Sequence, residues 1–450
     1  MQPSPQRADR FRYDGYAVDR GRGEVRCTYS TGGHSFTERY TFGSGGAWGA
    51  PAVAAAVRLL YLMAGVSYYK TTAARRIDLG DIASSADERA FLTDYYVHGL
   101  GEFAYRNGID LSDLSVEGPE AGRPPSHAYV PTARRPLIPF GGGIDSIVTA
   151  TALHDDGADA TLCIVHPPRD RFAAIEDAAA VTGLPIVRIV REIDPLVRRS
   201  DELGFFNGHV PITAVITAAA LVAAVLGGHD AVVMSNEWSA SVPTLVHEGV
   251  NVNHQWSKGE EFEEGFAQMV TAALGARLSV FSYLRSRSEL WVAREFAHLV
   301  EFHGVFRSCN RSFHQDRGER LGRWCGTCDK CCFIDLILSP FMSAASLDRV
   351  FDGHEPLGNP QLGDRFLTLL GLAPETKPFE CVGDVGECQA ALLLAAARPD
   401  RSDSVLLQSL RAAVVAKPDA QHSTAEILFP IGPHHIPERY VPPDLLVRAR

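Results

Sequence analysis

Pro139-Phe140-Gly141-Gly142-Gly143-Ile144-Asp145-Ser146 follows the strand-like run PLIPF and precedes the helical run SIVTATALHDDG. Three successive glycines permit backbone angles closed to other residues and let amides come close to a ligand. The helix start behind them offers unpaired N–H groups and the positive end of a dipole. In this setting Asp145 is a candidate magnesium ligand and Ser146 a candidate phosphate donor. The loop is not a Walker A sequence, because the Gly-Lys-Ser/Thr ending is absent, and it lacks G-x-G-x-x-G as well. A turn that merely lets strand and helix pack is the plainer reading.

Outward from this loop the pattern alternates. ATLCIVHP reads as a strand, RFAAIEDAAAVTG as a helix and LPIVRIVRE as a strand, then a long helix starts at Ile212 and the strand DAVVMSN follows. Such alternation predicts a doubly wound parallel α/β sheet with helices on both faces. Upstream, FRYDGYAV, EVRCTYS and SFTERYTF alternate apolar and polar residues as short antiparallel strands do. Helical patterns follow in PAVAAAVRLLYLMAGVSYYK and DERAFLTDYYVHGLGEFAYRNG, and VEGPEAGRPPSHAYVPTARRP reads as a linker. Beyond Leu347 come the helical DRFLTLLGL and QAALLLAAARP and a Pro-rich tail. The expected division is an α+β N-terminal region over residues 1–130, a nucleotide-binding domain over 131–348 and a helical region over 349–450.

The 450 residues are 46% hydrophobic and 22% charged, which are globular values. A net charge of −11 argues against a nucleic-acid partner, since phosphate contacts need clustered Lys and Arg. MQPSPQRADRFRYDGYAV has no apolar run of the signal-peptide kind. Val210 to Gly228 is the longest uncharged stretch, and its lead into a strand marks a buried helix, so no membrane segment and a cytoplasmic location are expected. Oligomeric state is not legible.

Five of the nine cysteines fall between Cys309 and Cys332, a clustering typical of metal sites and reducing compartments. Cys325, Cys328 and Cys331 repeat the C-x-x-C interval, and Cys309 is the expected fourth ligand of a closed structural Zn²⁺ site within 309–332. Cys332 or His314 are substitutes for Cys309, and an iron–sulfur cluster or unliganded thiols are the alternatives to zinc. Lys330 and Arg323 would offset the cluster's charge. Two polar stretches, Phe206–Pro211 and Ser235–Ser241, flank the long helix and the strand after it, and a third runs from Asn253 to Gly259. They supply His209, Glu237, His254 and Lys258 as candidate acid–base or phosphate-binding groups, or else a solvated surface. Cys381, in KPFECVG, is either a thiol base or a small buried hydrophobe.

The glycine loop resembles the S-G-G-x-D-S signature of N-type ATP pyrophosphatases, the PP-loop superfamily, with Gly141 in place of the serine. C-G-x-C-x-x-C clusters occur in PP-loop proteins of the queuosine-precursor type. A narrower resemblance, to MurL-type UDP-N-acetylmuramoyl-L-alanyl-L-glutamate epimerases, rests on MAGVSYYK, LGEFAYRNGI, GGGIDS, FNGHVPITAV, SNEWSAS, VNHQWSKG, SELWVAREFA, SCNRSFH, RWCGTCDKC and KPFECVG. It implies an ATP- and Mg²⁺-dependent isomerase of peptidoglycan synthesis. Its substrate would be a UDP-N-acetylmuramoyl dipeptide whose terminal L-glutamate becomes D-glutamate through an adenylated carboxylate. It also implies that Gly141, Gly142, Gly143, Asp145 and Ser146 hold ATP. A lysine is expected in the family's loop where this chain has Ile144, so either the positive charge comes from elsewhere, Lys258 or an arginine, or ATP binding is weakened. The competing readings are a PP-loop enzyme that adenylates RNA or a purine-like precursor, and a catalytically silent nucleotide-binding scaffold. The N-terminal region is the expected grip for the UDP-sugar, through Tyr68, Tyr69, Tyr95, Tyr96 and Tyr105, unless these rings are core.

Overall fold

The computed structural model describes residues 5–122, 127–314, 316–373, 377–417 and 426–446. In chain order the strands are β1 (Arg10–Asp19), β2 (Glu24–Thr31), β3 (His34–Thr41), β4 (Arg76–Asp78), β5 (Ser115–Glu117), β6 (Pro136–Pro139), β7 (Thr161–His166), β8 (Ile186–Glu192), β9 (Ala231–Met234), β10 (Leu245–His247), β11 (Val250–Val252) and β12 (Ser279–Ser282). All but β10 and β11 form one sheet in the order β12-β9-β6-β7-β8-β3-β2-β1-β4-β5.

From β12 to β8 every pairing is parallel. The chain lays β6, β7 and β8 in one direction, then crosses back to place β9 and β12 on the other side of β6. The order therefore reverses between β6 and β9. In open α/β sheets the crevice at such a reversal, outside the carboxyl ends of the strands, is where ligands bind. The loop Gly141–Gly143 leaves the end of β6 and the segment starting at Ser235 leaves the end of β9, so both face this crevice.

Strand periodicity divides the interior into two cores. Leu137, Cys163, Val232 and Val280 point into one, against the helices Pro51–Ala64, Ile212–Gly227 and Glu260–Leu274. Their neighbours Ile138, Leu162, Val233 and Phe281 point into the other, against Ile144–Asp155, Glu289–Ala297, Asp329–Leu338 and Val385–Ala396. The C-terminal region thus covers one face of the sheet, while the antiparallel β1–β3 extend it at the far end.

β3 pairs antiparallel with β8, so the sheet runs without a break across the boundary expected near residue 130. The seam is pinned by a buried ion pair. Arg191 Nε donates to Glu38 Oε1 at 2.5 Å, Arg191 also donates to Ser67 Oγ at 2.9 Å, and the Tyr40 hydroxyl donates to Glu38 at 2.7 Å.

Two expectations change. Part of the stretch read as a linker is the edge strand β5, whose Ser115–Glu117 pairs with β4, while residues 123–126 of that stretch lie outside the described residues. Tyr68, Tyr69, Tyr95 and Tyr96 are fully buried core, their hydroxyls bonded to protein groups, whereas Tyr105 is exposed. The helix Ile212–Gly227 is buried as expected. Pro51–Tyr69 is long and apolar enough to cross a membrane, yet 83% of that window is buried, the packing of a core helix.

Removing one partner of a buried ion pair strands the other charge. Glu38→Ala is therefore expected to destabilise the chain by about 3 kcal/mol, read from the midpoint of urea unfolding, whereas Arg39→Ala on the exposed face should change it by less than about 1 kcal/mol.

Candidate active site

At the sheet reversal Gly142 adopts φ +75°, and a Cβ there would sit 2.6 Å from the Ala174 carbonyl oxygen, so both conformation and space demand glycine. A Cβ on Gly141 would meet nothing within 4 Å, so the serine of the related signature would fit there. Gly143 caps the helix Ile144–Asp155, and the Ser146 hydroxyl donates to the Gly143 carbonyl at 3.1 Å. Ile144 is buried in the apolar core beneath.

Asp145 projects from the first turn of that helix. One oxygen each from Asp145, Glu237 and Glu289 lie within 4.8 Å of one another. Glu237 sits in the loop after β9, and Glu289 opens the helix Glu289–Ala297 behind the Ser288 cap. Burial and the neighbouring charge of Glu237 push the Asp145 carboxyl up to about 6, against the pull of Lys330 and Lys258. Burial and both other carboxylates push Glu289 up further. Glu387, which accepts from the Glu289 amide at 2.9 Å, rises to about 7, chiefly through burial. Asp145 Oδ1 and Glu289 Oε2 are shut from water without a hydrogen-bond partner, as are the hydroxyls of Ser235 and Ser239. Crowded, unpartnered carboxylate oxygens suit a hard divalent cation, and free hydroxyls beside a glycine loop suit phosphate. The residues present fit both groups.

Lys258 links this acidic cluster to a thiol. Its Nζ lies 3.4 Å from the Cys381 sulfur. Burial disfavours the ammonium, but Cys381, Glu237, Asp145 and Glu289 outweigh it and hold the proton on. Lys330 donates to the Cys381 carbonyl. The His254 ring lies near enough to the same sulfur for their charges to act on each other, and its Nδ1 bonds to Glu102 at 2.5 Å. Burial would raise the Cys381 thiol, yet Lys258, His254 and Lys330 bring it down to about 6. Burial would lower His254, yet Cys381 and Glu102 lift it to about 9. The His209 ring lies tilted against His254 with ring centroids 4.2 Å apart, and burial together with that charged neighbour lowers it to about 4, so it stays neutral.

The five candidate acid–base residues, His209, Glu237, His254, Lys258 and Cys381, thus meet in one place beside the glycine loop. Cys381 is half-buried and charge-stabilised, not a core hydrophobe. Glu102, Glu289, Lys330 and Glu387 were not legible as part of the site. Glu102, Glu289 and Lys330 do lie in the strings LGEFAYRNGI, SELWVAREFA and RWCGTCDKC that carry the family resemblance. Lys330 serves the thiol loop and lies 4.9 Å over the Phe333 ring, instead of acting only as counter-charge for cysteines.

The expected metal ligands converge too. Cys309, Cys325, Cys328 and Cys331 form one group, with sulfurs 3.6 Å apart for 325–331 and 3.4 Å for 328–331. Ligands at ~2.3 Å around tetrahedral zinc stand about 3.8 Å apart, so the cage needs little adjustment. Cys332 is buried outside this group, and His314 pairs with Glu319 at 3.2 Å instead.

Fold and site together define a mixed α/β protein with a charged, thiol-bearing crevice at the reversal point of a mostly parallel sheet. The chain belongs to the MurL family: the MurL N-terminal domain profile matches residues 2–283 and the MurL C-terminal domain profile residues 305–425. It is 37% identical over 448 residues to the UDP-N-acetyl-alpha-D-muramoyl-L-alanyl-L-glutamate epimerase of a Micromonospora species, covering 96% of this chain and 97% of that one. The proteins of the same name from Xanthomonas oryzae pv. oryzae and Salinispora tropica are 38% and 37% identical, covering 91% and 96% of this chain and 88% and 95% of theirs. No solved structure matches the chain.

Two measurements test this geometry. Elemental analysis of the purified chain should find one zinc per chain, lost in Cys328→Ser, and iron with a visible absorption band would overturn the zinc assignment. Iodoacetamide modification of Cys381 requires the thiolate, so its rate should rise through about pH 6 and level off above it. In Lys258→Met the midpoint should move upward, toward the 9.0 of an ordinary thiol.

Proposed function

We propose that this chain epimerises the terminal L-glutamate of UDP-N-acetylmuramoyl-L-alanyl-L-glutamate to D-glutamate in the cytoplasm, through an adenylated carboxylate, for peptidoglycan synthesis. The substrate and the inversion rest on family membership and on the names of relatives aligned along nearly the whole chain. The observation that carries the chemistry is that Lys258 bridges two centres, the carboxylates around Asp145 and the Cys381 sulfur.

A free carboxylate holds its Cα proton tightly, because deprotonation would build a dianion. Bound ATP supplies the adenylyl group that removes this obstacle, with pyrophosphate released and Mg²⁺ offsetting phosphate charge. The glycine loop and the helix behind it would take the phosphates, while Asp145, Glu237 and Glu289 would hold the cation. Lys258 provides the fixed positive charge that Ile144 does not. His254, with Glu102 fixing its ring, sits where a proton can be carried to and from Cα once the acyl group lies against Cys381. The cysteine cage is structural, since four protein ligands leave zinc no open position.

Incubation with ATP, Mg²⁺ and the UDP-muramoyl dipeptide in D₂O should release AMP and pyrophosphate and place deuterium at Cα of the glutamate. ADP as the nucleotide product would defeat the adenylation step. Asp145→Asn should reduce AMP release about 100-fold or more, with the fold intact by circular dichroism.

A further inference from the structure

Of the nine cysteines, four form the metal cage and Cys27, Cys163, Cys332 and Cys388 are buried with thiols pushed up by desolvation. Cys381 alone is half-buried and flanked by cations. Its partners form an ordered series: Glu102 accepts from His254 Nδ1, the same ring faces the charge of the sulfur, and the Lys258 ammonium stands 3.4 Å away. A carboxylate that fixes an imidazole that in turn holds a sulfur is the arrangement used for thiol nucleophiles in acyl transfer.

The segment that carries the thiol is braced on both sides. Lys330 holds the Cys381 carbonyl, Asn310 donates to Glu380 at 2.8 Å, and Arg106 lies 4.8 Å over the Phe379 ring. The sulfur is therefore fixed in position next to the acidic cluster, with which it shares Lys258. Chemistry favours attack over proton abstraction. A thiolate this well stabilised is a weak base toward a carbon acid but remains a good nucleophile toward a mixed anhydride.

We propose that Cys381 is a covalent nucleophile that takes the glutamyl group from AMP as a thioester, and that inversion at Cα occurs on this thioester. This rests on the adenylation reading above. The sulfur lone pair forms a C–S bond to the carboxyl carbon, the C–O bond to phosphate breaks, and AMP departs with that electron pair beside Lys258. The thioester carbonyl keeps the Cα proton labile, because sulfur donates little electron density to it. Once acylated, the sulfur is no longer an anion, so His254 loses one of the two charges that retain its proton, passes that proton to the departing AMP phosphate and can then accept the one from Cα. Water on the opposite face gives a proton to Cα, the hydroxide so formed attacks the thioester carbonyl, and the C–S bond breaks to give the D-glutamyl carboxylate and the Cys381 thiolate beside protonated His254, one proton leaving to solvent.

The test uses the wild-type full chain with ATP, Mg²⁺ and the UDP-muramoyl dipeptide, acid-quenched at millisecond to second intervals and weighed intact. A noncovalent adenylate is lost on denaturation, whereas an acyl enzyme persists. The expected result is a mass increase equal to the dipeptide substrate less one water, mapping to the peptide with Cys381. A dipeptide ending in α-methylglutamate, which lacks the Cα proton, should give the same adduct without inversion. Cys381→Ala should show no adduct and at least a 100-fold loss of inversion, while dipeptide-dependent exchange of pyrophosphate into ATP continues. AMP release with inversion but no adduct at any time overturns the nucleophile and leaves adenylation standing, and so does inversion by Cys381→Ala. No AMP from the wild type would instead defeat the adenylation reading, and the thioester with it.

Discussion

The crevice is held in shape by one guanidinium. Arg285 follows the end of β12 and is completely enclosed. It donates to the Glu237 carbonyl at 3.0 Å, to the Lys258 carbonyl at 2.6 Å and to Ser282 Oγ at 3.2 Å, with Glu263 as counter-ion at 2.7 Å. The loop bearing Glu237 and the turn bearing Lys258 come from different stretches of chain, and each has only a single short helical turn of its own. A planar, permanently charged fork can satisfy both carbonyls at once, which a lysine could not do with the same geometry. The edge strand β12 thereby becomes the anchor for the two loops that face Asp145. Loss of either member of the Arg285–Glu263 pair would strand a buried charge, at a cost of about 3–5 kcal/mol.

What this fixed frame assembles is unfavourable taken alone. Asp145, Glu237 and Glu289 crowd together out of water, and Lys258 and Lys330 are the cations within their reach. A fold selected only for stability would replace such a group with packed hydrophobic residues. Charge conflict of this kind, at the carboxyl ends of parallel strands, is tolerated where a ligand of opposite sign completes the set. The thiol side is the mirror case, because there a single anion is surrounded by His254, Lys258 and Lys330. Lys258 sits at the border, and its charge is claimed from both sides.

The sheet was legible because its signals are local. Alternation in FRYDGYAV and EVRCTYS, short apolar runs such as PLIPF and AVVM, and helical spacing between them depend only on neighbours along the chain. The C-x-x-C repeat and the triple glycine were equally local, and the structure brings Cys325, Cys328 and Cys331 together with Cys309 and sets the glycines at the sheet reversal. Long-range partnerships were not legible. Nothing in LGEFAYRNGI says that Glu102 turns inward to His254, and nothing in SELWVAREFA sets Glu289 beside Asp145. The tyrosines of the helices after β3 could not be assigned either, since an aromatic ring with a hydroxyl suits a ligand surface and a core with available carbonyls equally well. β5 escapes a sequence reading because three residues beside glycine and proline carry too little pattern to register as a strand.

The two matched family domains divide the crevice between them. Glu102, Asp145, His209, Glu237, His254 and Lys258 fall within residues 2–283, whereas Lys330, Cys381 and the cysteine cage fall within 305–425. Glu289 and the body of its helix lie between the two spans. Neither part holds a complete set: the first would leave Lys258 and His254 facing no sulfur, and the second would leave the thiol with Lys330 alone. The cage explains how the second part is aimed. Cys331 belongs to the four-thiol group and Lys330 precedes it on the same helix, so the setting of those sulfurs also positions the helix from which Lys330 holds the Cys381 carbonyl. The four-sulfur group and the Cys381 segment are thus joined through one turn of helix and one hydrogen bond, so the packing of those sulfurs bears on the position of the thiol.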